Sequence, residues 1–486
     1  MRQLSSLDTQ FLAIEDGRRT GHVGALAVYD PSTAPGGTMD CGTMVALLRQ
    51  RMHLLPPLRW RLMEVPFGVD YPYWVDDEGF DLSYHVRESA IPSPGSDEQL
   101  AELISRLHGQ PLDRAHPLWE MYVISGLADG NVAVYTKIHH AVIDGVSGAE
   151  ITGLLMDLSP EGRDIPPAEQ AAPRSAPRQI ERWGRAVVGL PRYPLRVLRS
   201  APSALPNLED TTLSSVPGVG QLGRVANRLS NVARRTGERR TRTSLPAPKT
   251  SFNGRVSPSR RFVFGRLDLD RVKEVKNAHG ATVNDVVVAI CAGAVRRWLV
   301  DHDELPNSPL VAQIPVSVRT EEQAGTYGNR VLMLAAPLHT NVADPVERLG
   351  ATAGGMREMK DRHRALPANL LIDFNHFIPP ALFSRAARAT FALATSRVGR
   401  PTWNVVVSNV PGPQIPLYCG GARLVAHYPV SVITDGLGLN ITVMSYDGHL
   451  DVGIIADHRQ MPDLATVMDG LEQSLTELEH TVLSDR

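Results

Sequence analysis

Residues Lys137–Gly145 read KIHHAVIDG, and the run that feeds them, VAVYTKIHH from Val132 to His140, is rich in β-branched residues. Such a run reads as a strand, on which successive side chains point to opposite faces. His139 and His140 then cannot both enter one cleft: one meets a substrate while the other packs or orients. This argues against the pair as joint metal ligands, and no HExxH or Cys/His cluster lies nearby, so no metal site is expected. No GxSxG elbow is present, so a covalent serine mechanism is not expected either. Two readings stay open. One histidine is a general base, since a neutral imidazole with a pKa near ~6.5 can take a proton at neutral pH. Alternatively, both are structural core residues. Asp144 follows a short loop that it could fix by pairing with an arginine, and Gly145 supplies backbone freedom where the strand turns toward a helix.

Outward from that stretch, the first 158 residues alternate helix and strand. SDEQLAELISRLHGQ (96–110) is a helix: Ser96 caps it, Gln99 reaches back, Leu100, Leu103, Ile104 and Leu107 form one stripe, and Gly109 suits its C-terminal end. LWEMYVISGL and VAVYTKIHH flank Asp129-Gly130 as a hairpin. GAEITGLLMDL (148–158) returns to helical spacing. From about 160 to 258 Pro, Ser, Ala and Arg dominate, which reads as a long crossover with local helices. Trp183, Val187, Val188, Leu195 and Leu198 stand there among arginines, a pattern that suits either an anionic lipid surface or a solvated basic segment.

A second α/β block begins near Arg261. ATVNDVVVAICAGAVRRWL reads as a helix, LVAQIPVSVR and GNRVLMLAAPL as strands, and 344–395 as largely helical. TWNVVVSNVPGP is a strand ending in a turn, LGLNITVMSYDGHLDVGIIADH a hairpin about Asp447-Gly448, and LATVMDGLEQSLTELEHTV a closing amphipathic helix. The expected organisation is therefore α/β, with an N-terminal domain over 1–160, a basic Pro-rich crossover over 161–258 and a C-terminal domain over 259–486, each domain with its own sheet and helices.

The bulk numbers agree with this division. A chain of 486 residues is long for one core, and 43% apolar content supports a large interior. The net charge of −2 hides an asymmetry: residues 161–260 carry 18 Lys and Arg against 7 Asp and Glu, a net +11, so the remainder carries −13. That basic segment is broken by proline and holds no recognised nucleic-acid module, so nucleic acid is not an expected partner. Three dispersed cysteines fit a reducing compartment. The N-terminus lacks the apolar block of a signal peptide, and the longest apolar run is too short to span a bilayer. A soluble, cytoplasmic protein is expected, with the option of peripheral contact with the inner membrane face.

His139-His140-Ala141-Val142-Ile143-Asp144-Gly145 matches HHxxxDG, and the chain thereby resembles the CoA-dependent acyltransferase superfamily, which includes chloramphenicol acetyltransferases and peptide-synthetase condensation domains. Further stretches narrow the likeness: LSSLDTQFLAIED, HVGAL, PLDRAHPLWE, TVNDVV, PVSVR, GNRV and SNVPGP, in that order, resemble the bacterial wax ester synthase/diacylglycerol acyltransferase family over nearly the whole chain.

The resemblance implies two chloramphenicol acetyltransferase-like domains, mixed sheets flanked by helices, around a central tunnel. It implies an enzyme that moves a long acyl group from acyl-CoA, a substrate rather than a cofactor, to diacylglycerol or a fatty alcohol, with no metal or redox cofactor. A related enzyme of the same fold acting on another acceptor or a carrier-protein thioester is the alternative, and a non-enzymatic lipid-surface protein a further one. It implies that His140 is the base, His139 supportive and Asp144 structural, with Arg319 in PVSVR as its candidate partner. Pro117, Leu118 and Trp119 match a PLW motif, read here as packing or tunnel lining. Asn284 and Asp285 match an ND motif: either Thr282 and Asp285 merely cap a helix, or Asn284 and the helix amides hold the thioester or its oxyanion. Ser408 and Asn409 in SNVPGP are expected in the cleft wall. Contact of the basic crossover with a membrane or lipid-droplet surface stays open beside its reading as a solvated segment.

Overall fold

The computed structural model describes residues 2–65, 71–142, 151, 153–166, 247–317, 331–364 and 401–484. In the first half the order is β1 (Arg2–Gln3), α1 (Ser6–Ile14), β2 (His22–Asp30), α2 (Cys41–Arg51), β3 (Trp60–Met63), β4 (Tyr73–Asp76), α3 (Leu82–His85), β5 (Val86–Ala90), α4 (Asp97–Gly109), β6 (Trp119–Ser125) and β7 (Val132–His139). The second half adds β8 (Arg260–Asp268), α5 (Leu269–Ala278), α6 (Val283–Asp301), β9 (Leu310–Ser317), β10 (Val331–Leu338), α7 (Pro345–Arg364), β11 (Val405–Val410), β12 (Tyr418–Cys419), β13 (Ala422–Val430), β14 (Leu439–Tyr446), β15 (His449–Asp457) and α8 (Ala465–Ser484).

Two mixed six-stranded sheets result. One runs β10-β9-β11-β14-β15-β8, with β11 parallel to both of its neighbours. The other runs β12-β13-β2-β7-β6-β5, with β5 parallel to β6. Local chemistry forms the elements as the sequence suggests. Ser96 and Gln99 make a reciprocal capping box on α4, and its buried stripe includes Leu100, Leu103 and Ile104. Asp447 and Gly448 both take positive φ (43° and 82°), the turn that matches the twist of the β14–β15 hairpin. Gly109 differs in detail. It is the last residue of α4 rather than a cap beyond it, and a β-carbon there would stand 3.1 Å from the Pro258 carbonyl oxygen. A close approach of two backbones, not a left-handed turn, explains that glycine.

The sheets do not follow the halves of the sequence. β12 and β13, from the C-terminal segment, complete the sheet of the N-terminal half, with β13 running antiparallel to β2. Without β13 the buried strand β2 would be an open edge. Nor is the end of the crossover loose: within 247–258, Phe252 and Val256 are buried, and Phe252 belongs to the core of the second half.

Three cores follow. One packs α5, α6, α7 and α8 on the sheet that runs from β10 to β8, where α6 is buried from Asp285 through Val295. One packs α2 and its neighbours on a face of the sheet that runs from β12 to β5. The third joins the halves: Leu100 and Ile104 of α4 and Tyr135 of β7 share it with Phe262 of β8, Tyr428 of β13 and Ile455 of β15. Ser105 Oγ in α4 accepts the Phe262 amide across this joint (2.8 Å). The arginines after α1 reinforce it: Arg19 and Arg18 lie 3.4 and 3.7 Å from the Asp435 carboxylate. The candidate membrane-facing residues 183–198 lie outside the described residues.

Candidate active site

β7 is a central strand, and its alternation separates functions. Tyr135, Lys137 and His139 share one face. Lys137 is fully buried, yet its ammonium is satisfied: it donates to the carbonyls of Leu107 and Gln110 at the end of α4 (3.1 Å each) and pairs with Glu120 (2.9 Å). Glu120 stands directly opposite Lys137 on β6, so the lysine of KIHH and the glutamate of PLWE form one cross-strand pair. The cation also sits where the helix dipole is negative.

The strand ends at His139, whose backbone is held from both sides. Its amide donates to the Leu118 carbonyl (2.9 Å), and His22 of β2 is its partner in register. The ring is buried, 1% exposed. Nδ1 accepts the Ala141 amide (3.0 Å), which puts the proton on Nε2. That nitrogen faces Glu15 Oε1 at 3.6 Å. Glu15 is itself anchored by the Gly21 amide (3.0 Å) and by Arg114 (2.8 Å). Burial alone would raise its carboxyl, but the His139 ring, the Gly21 amide and Arg114 outweigh it and hold the group at about 2. Gly21 leaves room for this: a β-carbon there would come within 2.6 Å of His139 Nε2.

His140 turns away and is half-buried. Its amide donates to the Gly21 carbonyl (2.8 Å). Its ring lies flat on Phe11 of α1, with centroids 4.1 Å apart and planes 5° from parallel. One histidine is thus locked in the interior and its neighbour held at the edge, a difference that the pairing of two identical residue types does not reveal.

Pro117 and Leu118 lead into β6, which begins at Trp119, beside this turn. Leu118 and Trp119 are each 1% exposed. The Trp119 indole donates to the Leu58 carbonyl (2.7 Å) and its ring stacks on His85 (4.4 Å). The motif's contact with the histidines is the Leu118 carbonyl that holds His139.

In the second half, Thr282 and Asp285 form a reciprocal capping box at the start of α6, and Asp285 is buried. Asn284, one residue earlier and half-buried, accepts a long hydrogen bond on Oδ1 from Asn409 Nδ2 (3.4 Å). The bond orients Asn284 and, among the described residues, leaves its amide donors unengaged. The ND and SNVPGP stretches therefore meet. Ser408 and Asn409 lie on β11, opposite Thr442 and Val443 of β14. Asp144, Gly145 and Arg319 lie outside the described residues.

The segment after the histidine loop is tied down at its far end. Arg51 of α2 pairs with Asp157 (2.5 Å), both nearly inaccessible to solvent, and also takes the Leu155 carbonyl (2.7 Å). Asp157 bridges in turn to Tyr418 of β12.

The residue reading did not single out Phe11, Glu15, Gly21 and Arg114. Phe11 and Glu15 are one helical turn apart in LSSLDTQFLAIED, and Arg114 lies in PLDRAHPLWE. That spacing is the available signal, but Glu15 and Arg114 are separated by 99 residues and nothing local joins them.

Comparison with known proteins gives one answer. A family model described as the wax ester synthase/diacylglycerol acyltransferase catalytic domain matches residues 4–287, and the model of the corresponding C-terminal domain matches 327–479. A Mycobacterium tuberculosis protein with a provisional diacylglycerol O-acyltransferase name is 36% identical over 98% of this chain and 90% of its own length. The O-acyltransferase WSD of Acinetobacter baylyi is 31% identical over 99% and 98%. The solved wax ester synthase/diacylglycerol acyltransferase of Marinobacter aquaeolei VT8 superposes with a TM-score of 0.69 at 31% identity, over 99% of this chain and 100% of that one. A condensation domain of the calcium-dependent antibiotic synthetase, at 17% identity and a TM-score of 0.57, shares the fold alone.

Proposed function

The chain belongs to the wax ester synthase/diacylglycerol acyltransferase family, and from that premise we propose that it is an O-acyltransferase taking a long acyl group from acyl-CoA to the hydroxyl of diacylglycerol or a long-chain alcohol, with His140 as the general base. Triacylglycerol or a wax ester forms, and CoA is released. In the proposed step the acceptor O–H gives its proton to the His140 imidazole as the oxygen attacks the thioester carbonyl. The tetrahedral intermediate collapses with cleavage of the C–S bond, and the imidazolium returns the proton to the departing thiolate. Asn284, oriented by Asn409, and the Val283 and Asn284 backbone amides at the start of α6 are the candidate donors to the oxyanion. Asp144, paired with Arg319, would hold the loop. The reaction so written needs no metal or redox cofactor, and a water-poor tunnel between the domains would protect the thioester from hydrolysis.

The observation that carries the choice of base is the split between the two rings. His139 is buried with both nitrogens facing protein groups, whereas His140 is half-buried at a strand end on an aromatic support. A thiol-release assay with palmitoyl-CoA, run in parallel with diacylglycerol and hexadecanol, tests the reading. Wild-type protein releases CoA with one acceptor or both, and His140→Ala folds but is inactive. Near-normal turnover by His140→Ala would overturn it.

Because acyl chain and acceptor both partition into lipid, the proposal extends to work at a membrane or lipid-droplet surface on the cytoplasmic side, with the basic crossover as the contact. Flotation with anionic liposomes checks this. Protein that stays at the bottom of the gradient would count against it.

A further inference from the structure

α1 and the residue that ends it address the histidine pair. Phe11 lies flat against the His140 ring, and Glu15, one turn on, faces the His139 ring. The helix is fixed at both ends. Ser5 and Asp8 form a reciprocal capping box, and Arg114 binds the Leu12 carbonyl (2.8 Å) together with Glu15. Phe11 therefore comes to His140 from a rigid support.

We propose that Phe11 is a positioning residue for His140, fixing the plane of its ring and stabilising the imidazolium that forms when it takes the acceptor's proton. The inference rests on the reading of His140 as the base. A lone pair on an imidazole nitrogen lies in the ring plane, so fixing that plane fixes the line along which the proton can move. The parallel phenyl closes one face of the imidazole and does not itself block the ring plane in which the nitrogen lone pair lies. Once protonated, the ring places its positive charge over the negative face of Phe11, an attraction that an aliphatic side chain of similar volume does not supply. Phe11 touches the base rather than the reacting atoms. Among the described residues, the titratable groups around His140 are His139 with its neighbours Glu15, Arg114 and His22; Asp16, Arg18 and Arg19 further along the loop pair with one another and with Asp435. All of them remain when Phe11 is replaced.

The experiment compares wild type, Phe11→Leu, Phe11→Met, Phe11→Tyr and His140→Ala in the full chain, by kcat and KM against pH and by NMR titration of protein labelled at the histidine Cε1. The His140 resonance is the one that His140→Ala removes. The Leu and Met variants should lose about tenfold to a hundredfold in kcat with KM for palmitoyl-CoA little changed. The acid limb of kcat/KM and the His140 titration should both move to lower pH by about half to one unit. Tyrosine should restore both. An inactive His140→Ala beside a Phe11→Leu or Phe11→Met with wild-type kcat and an unmoved acid limb would overturn the role of Phe11 and leave the base intact. Activity lost only in proportion to lost folded protein, with no shift in titration, would reduce Phe11 to packing. An active His140→Ala would remove the base reading itself.

Discussion

Glu15 Oε1 stands 3.6 Å from His139 Nε2, and the other oxygen of the same carboxylate is 2.8 Å from Arg114. A buried imidazole, a carboxylate and a guanidinium thus form a row behind the proposed base. Glu15→Gln keeps the shape and removes the charge. The expected result is a kcat about tenfold lower, because His139 and the turn after it lose a fixed reference. Stability should fall by roughly 1–2 kcal/mol, less than for a fully buried pair because Arg114 reaches solvent. Urea unfolding and the thiol-release assay read the two effects. An unchanged kcat would show that the row is not coupled to the site.

Lys137 is the stability anchor of the same strand. Its ammonium, held below its ordinary pKa by burial against the opposing pull of Glu120, caps α4 and neutralises Glu120. Lys137→Met strands a buried carboxylate and removes the donor to two helix carbonyls, and should cost about 3–5 kcal/mol. Adding Glu120→Gln should recover part of that loss. Shifts in the urea midpoint, with the slope unchanged, measure both.

Acid should weaken the fold through buried neutral histidines. His22 and His108 are fully enclosed; burial pushes His22 well below its ordinary value and His108 down to about 3. Below about pH 6.5 the unfolded chain binds protons at these positions that the folded chain refuses, at His108 down to about pH 3. Stability is therefore complete above pH 6.5 and falls as pH drops, by about 1.4 kcal/mol per pH unit for each such group. Thermal or urea unfolding at pH 7 and pH 5 checks the sign. His108→Gln should flatten the dependence by one proton, and an unaltered slope would exclude His108 as a source.

Asn284 and Asp285 separate cleanly. Asp285 receives the Thr282 hydroxyl and amide at the start of α6 (2.7 and 2.9 Å), so Asp285→Ala should lower stability by about 1–2 kcal/mol. Asn284→Ala should leave stability within about 0.5 kcal/mol and lower kcat by about a hundredfold if its amide holds the oxyanion. Asn409→Ala, which frees the orientation of Asn284, should follow it in kind and be weaker. Equal kinetics in the Asn284 and Asp285 variants would undo the distinction.

The sequence by itself determined what is local. The capping boxes at Ser96 and Thr282, the Asp447-Gly448 turn, the alternation of β7 and the stripe of α4 lie within a few residues of their partners, where backbone geometry and periodicity act directly. The ordered motifs also carried the family, which the comparisons bear out. Tertiary structure decided what spans the chain. Only pairing across about 400 residues sends β12 and β13 to the sheet that contains β2. Only packing gave His139 to Glu15 and Arg114 in the interior and His140 to Phe11 at its edge. The physical reason is that a residue's type fixes what it can bond to, whereas burial and the neighbour it meets fix which of those bonds it makes. Two adjacent histidines have the same chemistry in the sequence and acquire different chemistry from where the strand stops.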